Sequence, residues 1–492
     1  MSKRYILSVD QSTQGTKAML FDAQGKLTAR ADKPHRQIID KNGWVEHDPE
    51  EILQNTLQVC QEVIEKAAID KAQVAAMGIS NQRETIAVWD RETGKPLHNA
   101  IVWQCARASA LCQKLFRSAE AVKHKTGLTL SPYFSASKLA WLVQNVPAVT
   151  EAQNRGTLCC GTMDSWLVFR LTQERAHKTD FSNASRTQLL NIRELQWDSD
   201  LCDLFGVAKE SLPEICMSDA LYGHTDLGGF LDDPIPVCGV LGDSHAALLG
   251  QGCRNPGEVK ATYGTGSSVM MQTGETLYEN NNGLVTSLAW GLDGKVEYVL
   301  EGNLNYTGAV VSWMRDQSCL ITKDAETETL ANSANPEDKC YFVPAFTGLG
   351  APYWDSEATG MFTGITRTTG RAELVKAGLE SIGYQITDLL RLMSGCTGMP
   401  VAQLRVDGGP TVNRYLMQFQ SDIAGTTLRV PNLQELSGFG AAIAAGLHIG
   451  LYKTESLEAS ISHTYYQPEK DEAWRVSHYS GWQQAIRQVL NR

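Results

Sequence analysis

Two stretches far apart in this chain share one pattern: an apolar run, a tight loop of hydroxyl and small residues, then a second apolar run. The first loop is Asp10-Gln11-Ser12-Thr13-Gln14-Gly15-Thr16-Lys17, and the second is Thr262-Tyr263-Gly264-Thr265-Gly266-Ser267-Ser268. Hydroxyls and exposed backbone N–H groups are what a polyphosphate needs around it. Lys17 adds positive charge, and Asp10 is placed to hold Mg²⁺ directly or through water. The first loop is not of the Walker A type, because GxxxxGK[ST] is absent and a strand follows in place of a helix. Each loop alone reads first as a polar hairpin turn, since small and polar residues are what any hairpin uses. Two such loops opening two similar units point further. A nucleotide between them would be gripped from both sides, as when a cleft closes on ATP and excludes water.

A second group of residues suits a hydroxyl-bearing acceptor. Asp243 ends an apolar strand and precedes a helix, where a carboxylate can accept a proton from a hydroxyl; the competing reading is an N-cap aspartate. His245, just inside the same helix start, reads as a pocket wall or capping group before it reads as a base. Arg83-Glu84 follows Asn81-Gln82, and Trp103 follows Ile101-Val102, so each stands at a strand end. Paired donors and acceptors with an aromatic face against carbon would bind a polyol. A surface ion pair and a half-buried core Trp are the alternatives.

The elements that must position these groups alternate between strand and helix. Tyr5 to Val9 and Lys17 to Asp22 read as strands flanking the loop Asp10 to Thr16, and Val74 to Ile79 as another. Asp48-Pro49-Glu50-Glu51 opens a helix with an N-cap, a Pro at the first helical position and a Glu at the capping-box position. Ile235 to Leu241 is a strand ending in Gly242-Asp243. Val259 to Tyr263 and Val269 to Gln272 then repeat the opening motif. Later come a helix from Arg371 to Met393 ended by Gly395, a strand Leu404 to Val406, the loop Asp407-Gly408-Gly409, and helices from Thr411 to Ala424 and Ser437 to Leu447. This alternation predicts an α/β fold, and the repeat predicts a lobe boundary near residue 250.

The length of 492 residues exceeds what one core organises, so two or more domains are expected. An apolar share of 42% with 20% charged residues excludes extended disorder. The formal net charge of −11, with no long Lys/Arg run, gives no footprint for nucleic acid or anionic membrane. No apolar run reaches membrane-spanning length, and the start MSKRYILSVDQST is broken by Ser8, Asp10 and Gln11, so no signal peptide is expected. Twelve cysteines are scattered without a CxxC pair or zinc-like spacing, which predicts reduced, mostly buried thiols and a cytoplasmic protein.

Over nearly its whole length the chain resembles the FGGY carbohydrate kinase family, and within it most the glycerol kinases. Tyr133-Phe-Ser-Ala-Ser-Lys138-Leu-Ala-Trp141-Leu-Val-Gln-Asn145 fits the family's first signature. Gly360-Met-Phe-Thr-Gly-Ile365 through Glu380 fits the second, with Gly378 where a larger residue is usual. Glycerol-kinase-like stretches include Gly43 to Asp48, Asn81 to Thr85, Ile101 to Cys105, Asn183 to Thr187 and Pro344 to Asp355. The resemblance implies two ribonuclease-H-like lobes of the actin/hexokinase ATPase type, residues 1–250 and 251–492, with ATP, Mg²⁺ and a small-molecule substrate in the cleft. It implies Asp243 as general base and Arg83, Glu84, Trp103 and Tyr133 as polyol-binding residues. Asp10, Thr13, Gln14, Lys17, Thr265 and Gly308 would lie around the phosphates and metal, Gly409 and Asn413 would border the adenine, and the assembly would be a homodimer or homotetramer.

Several departures from the glycerol-kinase pattern bear on the substrate, and the phosphate loop departs too, reading Ser12-Thr-Gln-Gly-Thr-Lys17 for Gly-Thr-Thr-Ser-Ser-Arg. Gly-Asp-Gln-Gln is replaced by Gly242-Asp243-Ser244-His245, so a shorter Ser244 stands where a glutamine holds glycerol, and Ser268 replaces a phenylalanine that packs on the carbon chain. Glu301-Gly-Asn-Leu-Asn-Tyr306 is more polar, Ser312 replaces a glutamine near the nucleotide, and the loop Gly228 to Pro234 is acidic, so sugar-bisphosphate inhibition is not implied. Smaller, more polar walls predict an acceptor larger than glycerol, a four- or five-carbon polyol or ketose. Glycerol itself is the first alternative. An actin-like ATP or sugar-binding regulator without turnover is the second, and the presence of Asp243 argues against it.

Overall fold

The computed structural model describes residues 4–279, 283–433, 435–453, 457 and 461–490. Two sheets carry the fold. The first is built from β1 (Tyr5–Gln11), β2 (Gly15–Phe21), β3 (Leu27–Pro34), β4 (Val74–Asn81), β5 (Gly223–Thr225) and β6 (Ile235–Gly242), in the order β5-β6-β4-β1-β2-β3. The second contains β7 (Val259–Tyr263), β8 (Ser267–Gly274), β9 (Val285–Leu292), β10 (Lys295–Leu304), β11 (Gln403–Gly408), β12 (Thr427–Pro431) and β13 (His463–Tyr466), in the order β9-β10-β8-β7-β11-β12-β13. In each sheet an antiparallel meander is extended by parallel strands: β1 pairs antiparallel with β2 and parallel with β4, and β7 pairs antiparallel with β8 and parallel with β11. This is the ribonuclease-H-like order that the family resemblance implies, present twice. A separate five-stranded sheet includes Ile86–Asp90 and Leu158–Thr162.

Helices cover the sheets because their apolar faces have nowhere else to go. In α1 (Pro49–Lys66), Asp48 accepts the N–H groups of Glu50 and Glu51 as predicted, and Ile52, Val59 and Val63 are buried in the first core. α2 (Asp243–Gly250) begins at Asp243 itself, with Gly242 at the N-cap position, so Asp243 is the first helical residue and does not cap. α3 (Gly308–Asp316), α4 (Arg371–Thr397) and α5 (Arg414–Ala424) follow the second meander. α6 (Leu436–His448) crosses back onto β1, β4, β6 and α2. This crossing is made backbone to backbone: a Cβ on Gly440 would lie 1.9 Å from the carbonyl oxygen of Ala246. Gly440→Ala is therefore expected to push the two helices apart at a cost of about 1–3 kcal/mol, read as a lower unfolding midpoint.

Three sequence boundaries move. The strands run through Gln11 and restart at Gly15, because Asp10 pairs with Lys17 and Gln11 with Thr16, so the loop shrinks to Ser12–Gln14. α4 passes Gly395 and ends at Gly398, whose left-handed φ of 73° lets its N–H return to Ser394. α5 starts at Arg414 and not at Thr411, since a 3₁₀ turn over Gly409–Val412 precedes it and the Asn413 side chain caps Leu416 N–H at 3.0 Å. Most cysteines, among them Cys60, Cys159 and Cys160, are buried thiols. Among the described residues no helix is long and apolar enough to cross a membrane.

Candidate active site

The register of the first sheet assembles one side of the site. Gly242 pairs with Asn81, so Asp243, one residue beyond β6, arrives beside Arg83, two residues beyond β4. Arg83 Nε lies 3.2 Å from Asp243 Oδ1, and its two terminal nitrogens donate to Glu301 at 3.2 and 2.9 Å. Glu301 Oε2 is also 2.8 Å from Arg186, whose Nε donates to Glu84 at 2.6 Å. Asp243, Arg83, Glu301, Arg186 and Glu84 thus form one chain of alternating charge. All but Asp243 are buried, so the surface ion-pair reading of Arg83 and Glu84 is excluded. Burial would raise the Glu301 carboxyl, but Arg186 and Arg83 together hold it well below the usual range. Glu84 is kept at a left-handed φ of 61°, a conformation that costs an ordinary residue about 1–3 kcal/mol and marks an over-determined site. Gly242 makes room: a Cβ there would lie 2.7 Å from Arg83 Cγ.

Ser268 donates to Glu301 Oε1 at 3.2 Å, and Ser244 N–H donates to Asp243 Oδ1 at 2.6 Å. His245 is fully buried behind this layer, with Nε2 3.4 Å from Ser287 Oγ and no capping bond, so it belongs to the wall. Burial, reinforced by Arg83, keeps it neutral well below its ordinary pKa. Trp103 and Tyr133 stand together, ring centroids 5.4 Å apart, and Trp103 Nε1 donates to Thr13 Oγ1 at 2.9 Å. The indole therefore ties the Trp103–Tyr133 pair to the first hairpin. Tyr133 is fixed from below by Lys138, which is fully buried and donates to the carbonyls of Pro132, Tyr133 (2.6 Å) and Phe134 (3.3 Å).

A cavity of about 660 Å³, open to solvent, lies between the sheets and is lined by Asp10, Lys17, Asp243, Ser244, Lys260, Thr262, Asp407 and Glu435. The N-terminal residues of α2 and α6 also line it, so two helix dipoles turn their positive ends toward it. Asp10 sits opposite Ser80 across the parallel pair, and Ser80 Oγ donates to its Oδ1 at 2.9 Å. Burial, with Asp243 nearby and against the pull of Lys17, pushes its pKa up to about 6. Among the described residues no cluster of three metal-ligating side chains exists. Asp10 nevertheless fits Mg²⁺, an ion that takes one or two carboxylates and completes its shell with water and substrate phosphate oxygens. Lys17 is engaged by Glu435 at 3.0 Å, and Arg30 holds the other Glu435 oxygen at 2.5 Å.

Behind the first hairpin, Gln37 Nε2 donates to Thr13 O at 2.6 Å and its Oε1 meets His47 Nε2 at 2.8 Å. Burial, with His35 adjacent, pushes His47 down from 6.5 to about 3. The unfolded chain binds a proton there that the folded one refuses, so this contribution to stability is complete above 6.5 and falls as pH drops through it. We expect about 1.4 kcal/mol lost per pH unit below that point, with the urea midpoint dropping between about pH 7.5 and 5.5 and His47→Gln flattening the drop.

The second hairpin meets the start of α3. Thr307 and Ala309 N–H groups donate to Thr265 O at 3.0 Å each, and Gly308 N–H to Gly264 O at 2.9 Å. Gln14 is exposed at the tip of the first hairpin, its carbonyl accepting His35 N–H at 3.2 Å. Gly409 is exposed at the end of β11, and Asn413 both caps α5 and donates to Thr327 Oγ1 at 3.0 Å. Sequence reading did not single out Lys260, Arg186, Glu435 or the role of Glu301. A charged residue inside an apolar strand, as Lys260 is in Val-Lys-Ala-Thr-Tyr, was the available signal.

The sequence matches the models of the FGGY family of carbohydrate kinases, the N-terminal domain over residues 5–250 and the C-terminal domain over 259–449. It is similar to glycerol kinase of Carboxydothermus hydrogenoformans, 45% identical over 99% of this chain and 98% of that one. Glycerol kinase 1 of Thermotoga maritima is 44% identical over 99% of each. The structure superposes on the crystal structure of Plasmodium falciparum glycerol kinase with ADP at a TM-score of 0.94, with 35% identity and 99% of each chain covered. The fold is shared with a ligand-bound xylulose kinase from Lactobacillus acidophilus at a TM-score of 0.88 and 23% identity, over 99% of this chain and 98% of that one.

Proposed function

Because the chain belongs to the FGGY family of carbohydrate kinases and is thus an alcohol-phosphorylating kinase, we propose that it moves the γ-phosphoryl group of ATP to a hydroxyl of a polyol or ketose longer than glycerol, with Asp243 as general base. The observation that carries this reading is the convergence of Asp243, Arg83 and Asp10 on one cleft. Arg83, Glu84, Trp103, Tyr133 and Ser244 hold the acceptor, with residues 1–250 as the lobe that binds substrate and phosphate and 251–492 as the lobe that binds nucleotide. Asp243 takes the hydroxyl proton as the oxygen forms its bond to phosphorus, and the bond to the bridging oxygen breaks with ADP carrying away the electron pair. Asp10 would hold Mg²⁺, which when bound neutralises phosphate charge. Thr13, Gln14, Lys17, Thr265 and Gly308 line the phosphate path, and Gly409 and Asn413 border the base of the nucleotide.

Ser268 supports the larger acceptor. Its hydroxyl donates to Glu301, leaving oxygen lone pairs to accept from an added hydroxyl where an aromatic ring would exclude one. The test is ADP release with three- to six-carbon polyols, ketoses and aldoses. Wild type should prefer a four- or five-carbon acceptor, and Ser268→Phe with Ser244→Gln should swing kcat/KM toward glycerol by about 10–200-fold. Activity restricted to glycerol in the wild type would return the assignment to the second reading, which the names of the relatives favour.

A further inference from the structure

The cleft contains one buried cation that the roles above do not use. Lys260 is the second residue of β7, its side chain is fully buried, and it lines the cavity that Asp10 and Asp243 share. Among the described residues its side chain makes one hydrogen bond, to Thr262 Oγ1 at 2.9 Å, and no carboxylate lies within ion-pair distance of its nitrogen. The other cations at the cleft are committed. Lys17 is on Glu435, and all three Arg83 nitrogens are on Asp243 and Glu301. A fully buried ammonium with unspent donors is costly, and it becomes favourable only when an anion arrives. Thr262 pairs with Asp407 across the parallel strands, and Asp407 is itself fixed by Gln251 at 2.7 Å, so the strand holding Lys260 is braced on the cleft side.

We propose that Lys260 is a catalytic residue of the phosphoryl transfer, its ammonium stabilising the charge on the γ-phosphoryl oxygens as that group passes from ADP to the acceptor. This rests on the kinase reading above. Lys260 keeps its protons throughout: the acceptor proton goes to Asp243, the acceptor oxygen bonds phosphorus, and the electron pair of the broken bond leaves with ADP. The two helix N-termini at the same cavity act in the same sense, and the dry wall around Lys260 strengthens its effect relative to an exposed lysine. The other charged groups facing Lys260 are Asp407, Arg83, Glu301 and Asp243; burial pulls its pKa down and Asp407, itself held by the neutral Gln251 amide, opposes that pull.

The experiment compares wild type with Lys260→Met and Lys260→Arg. With the acceptor that wild type uses, Lys260→Met should lower kcat by about 10²–10³-fold and leave acceptor KM and ADP affinity within about threefold, because the contact strengthens as charge develops. Lys260→Arg should recover part of that loss. A readout needing no acceptor is calorimetric binding of ADP with aluminium fluoride, a mimic of the transferring group. Wild type should bind ADP more tightly with the fluoride complex than without, and Lys260→Met should lose that gain. The role is overturned if kcat in Lys260→Met stays within threefold of wild type, if ADP affinity falls as far as kcat, or if wild type shows no gain from aluminium fluoride. A wild type that turns over none of the panel's acceptors but gains from aluminium fluoride, with that gain lost in Lys260→Met, would refute the proposed acceptor and support Lys260 as the group that holds the transferring phosphoryl. Should Lys260→Met fail to fold, the Lys260→Arg binding increment alone decides: retention of most of the gain supports the role, and complete loss refutes it.

Discussion

Asp243→Asn is expected to lower kcat by about 10²–10⁴-fold with the preferred acceptor while nucleotide binding remains within a few-fold of wild type. The carboxylate stands at the first turn of α2, partly open to the cleft, with one oxygen already held by Ser244 N–H at 2.6 Å and by Arg83 at 3.2 Å. Those contacts fix its orientation. An amide of the same shape keeps the steric fit and loses the ability to accept a proton from the hydroxyl. The measurement is steady-state ADP release beside ATP calorimetry. An Asn variant with near-normal turnover would show that the hydroxyl proton leaves by another route.

Arg83→Leu is expected to destabilise the protein by about 3–5 kcal/mol, because it leaves Glu301 fully buried with only Arg186 to offset it and deprives Asp243 of its cation. On the proposed role of Arg83 in holding the acceptor, the same substitution should also remove acceptor binding. The two effects separate in a double variant. Arg83→Leu with Glu301→Leu removes both members of the bidentate pair, so much of the lost stability should return while turnover does not. Urea unfolding of the three variants together with kcat/KM gives the comparison. Equal stability losses in the single and double variants would mean that apolar repacking, and not the unpaired charge, sets the cost.

The sequence by itself determined the local and contiguous features. The helix start at Asp48-Pro49-Glu50-Glu51 needs only neighbours in sequence, and the structure has that cap. The strand, tight loop and strand motif was legible in both copies because alternating apolar runs and turn residues act over a few positions. The positions of Asp243, Arg83 and Trp103 at strand ends were legible for the same reason, whereas Asp10, read as the first loop residue, lies within β1. Gly395 and Gly398 show the limit. Either glycine can end a helix, and the longer α4 follows from packing that continues past the first.

Only the tertiary structure decided the partners. Nothing local tells Glu301 that it will face Arg83 and Arg186, or tells Glu435 that it will hold Lys17, since each pair joins residues from distant segments. Lys260 reads in sequence as an odd charge within an apolar strand, and becomes meaningful when the pairing of β7 with β8 and β11 turns it into the wall of the cleft. The physical reason is range. Propensity, capping and turn chemistry are settled by adjacent residues, whereas the energy of a buried charge depends on what other chain segments bring within a few ångströms of it, which sheet register and the crossing of α6 over α2 determine.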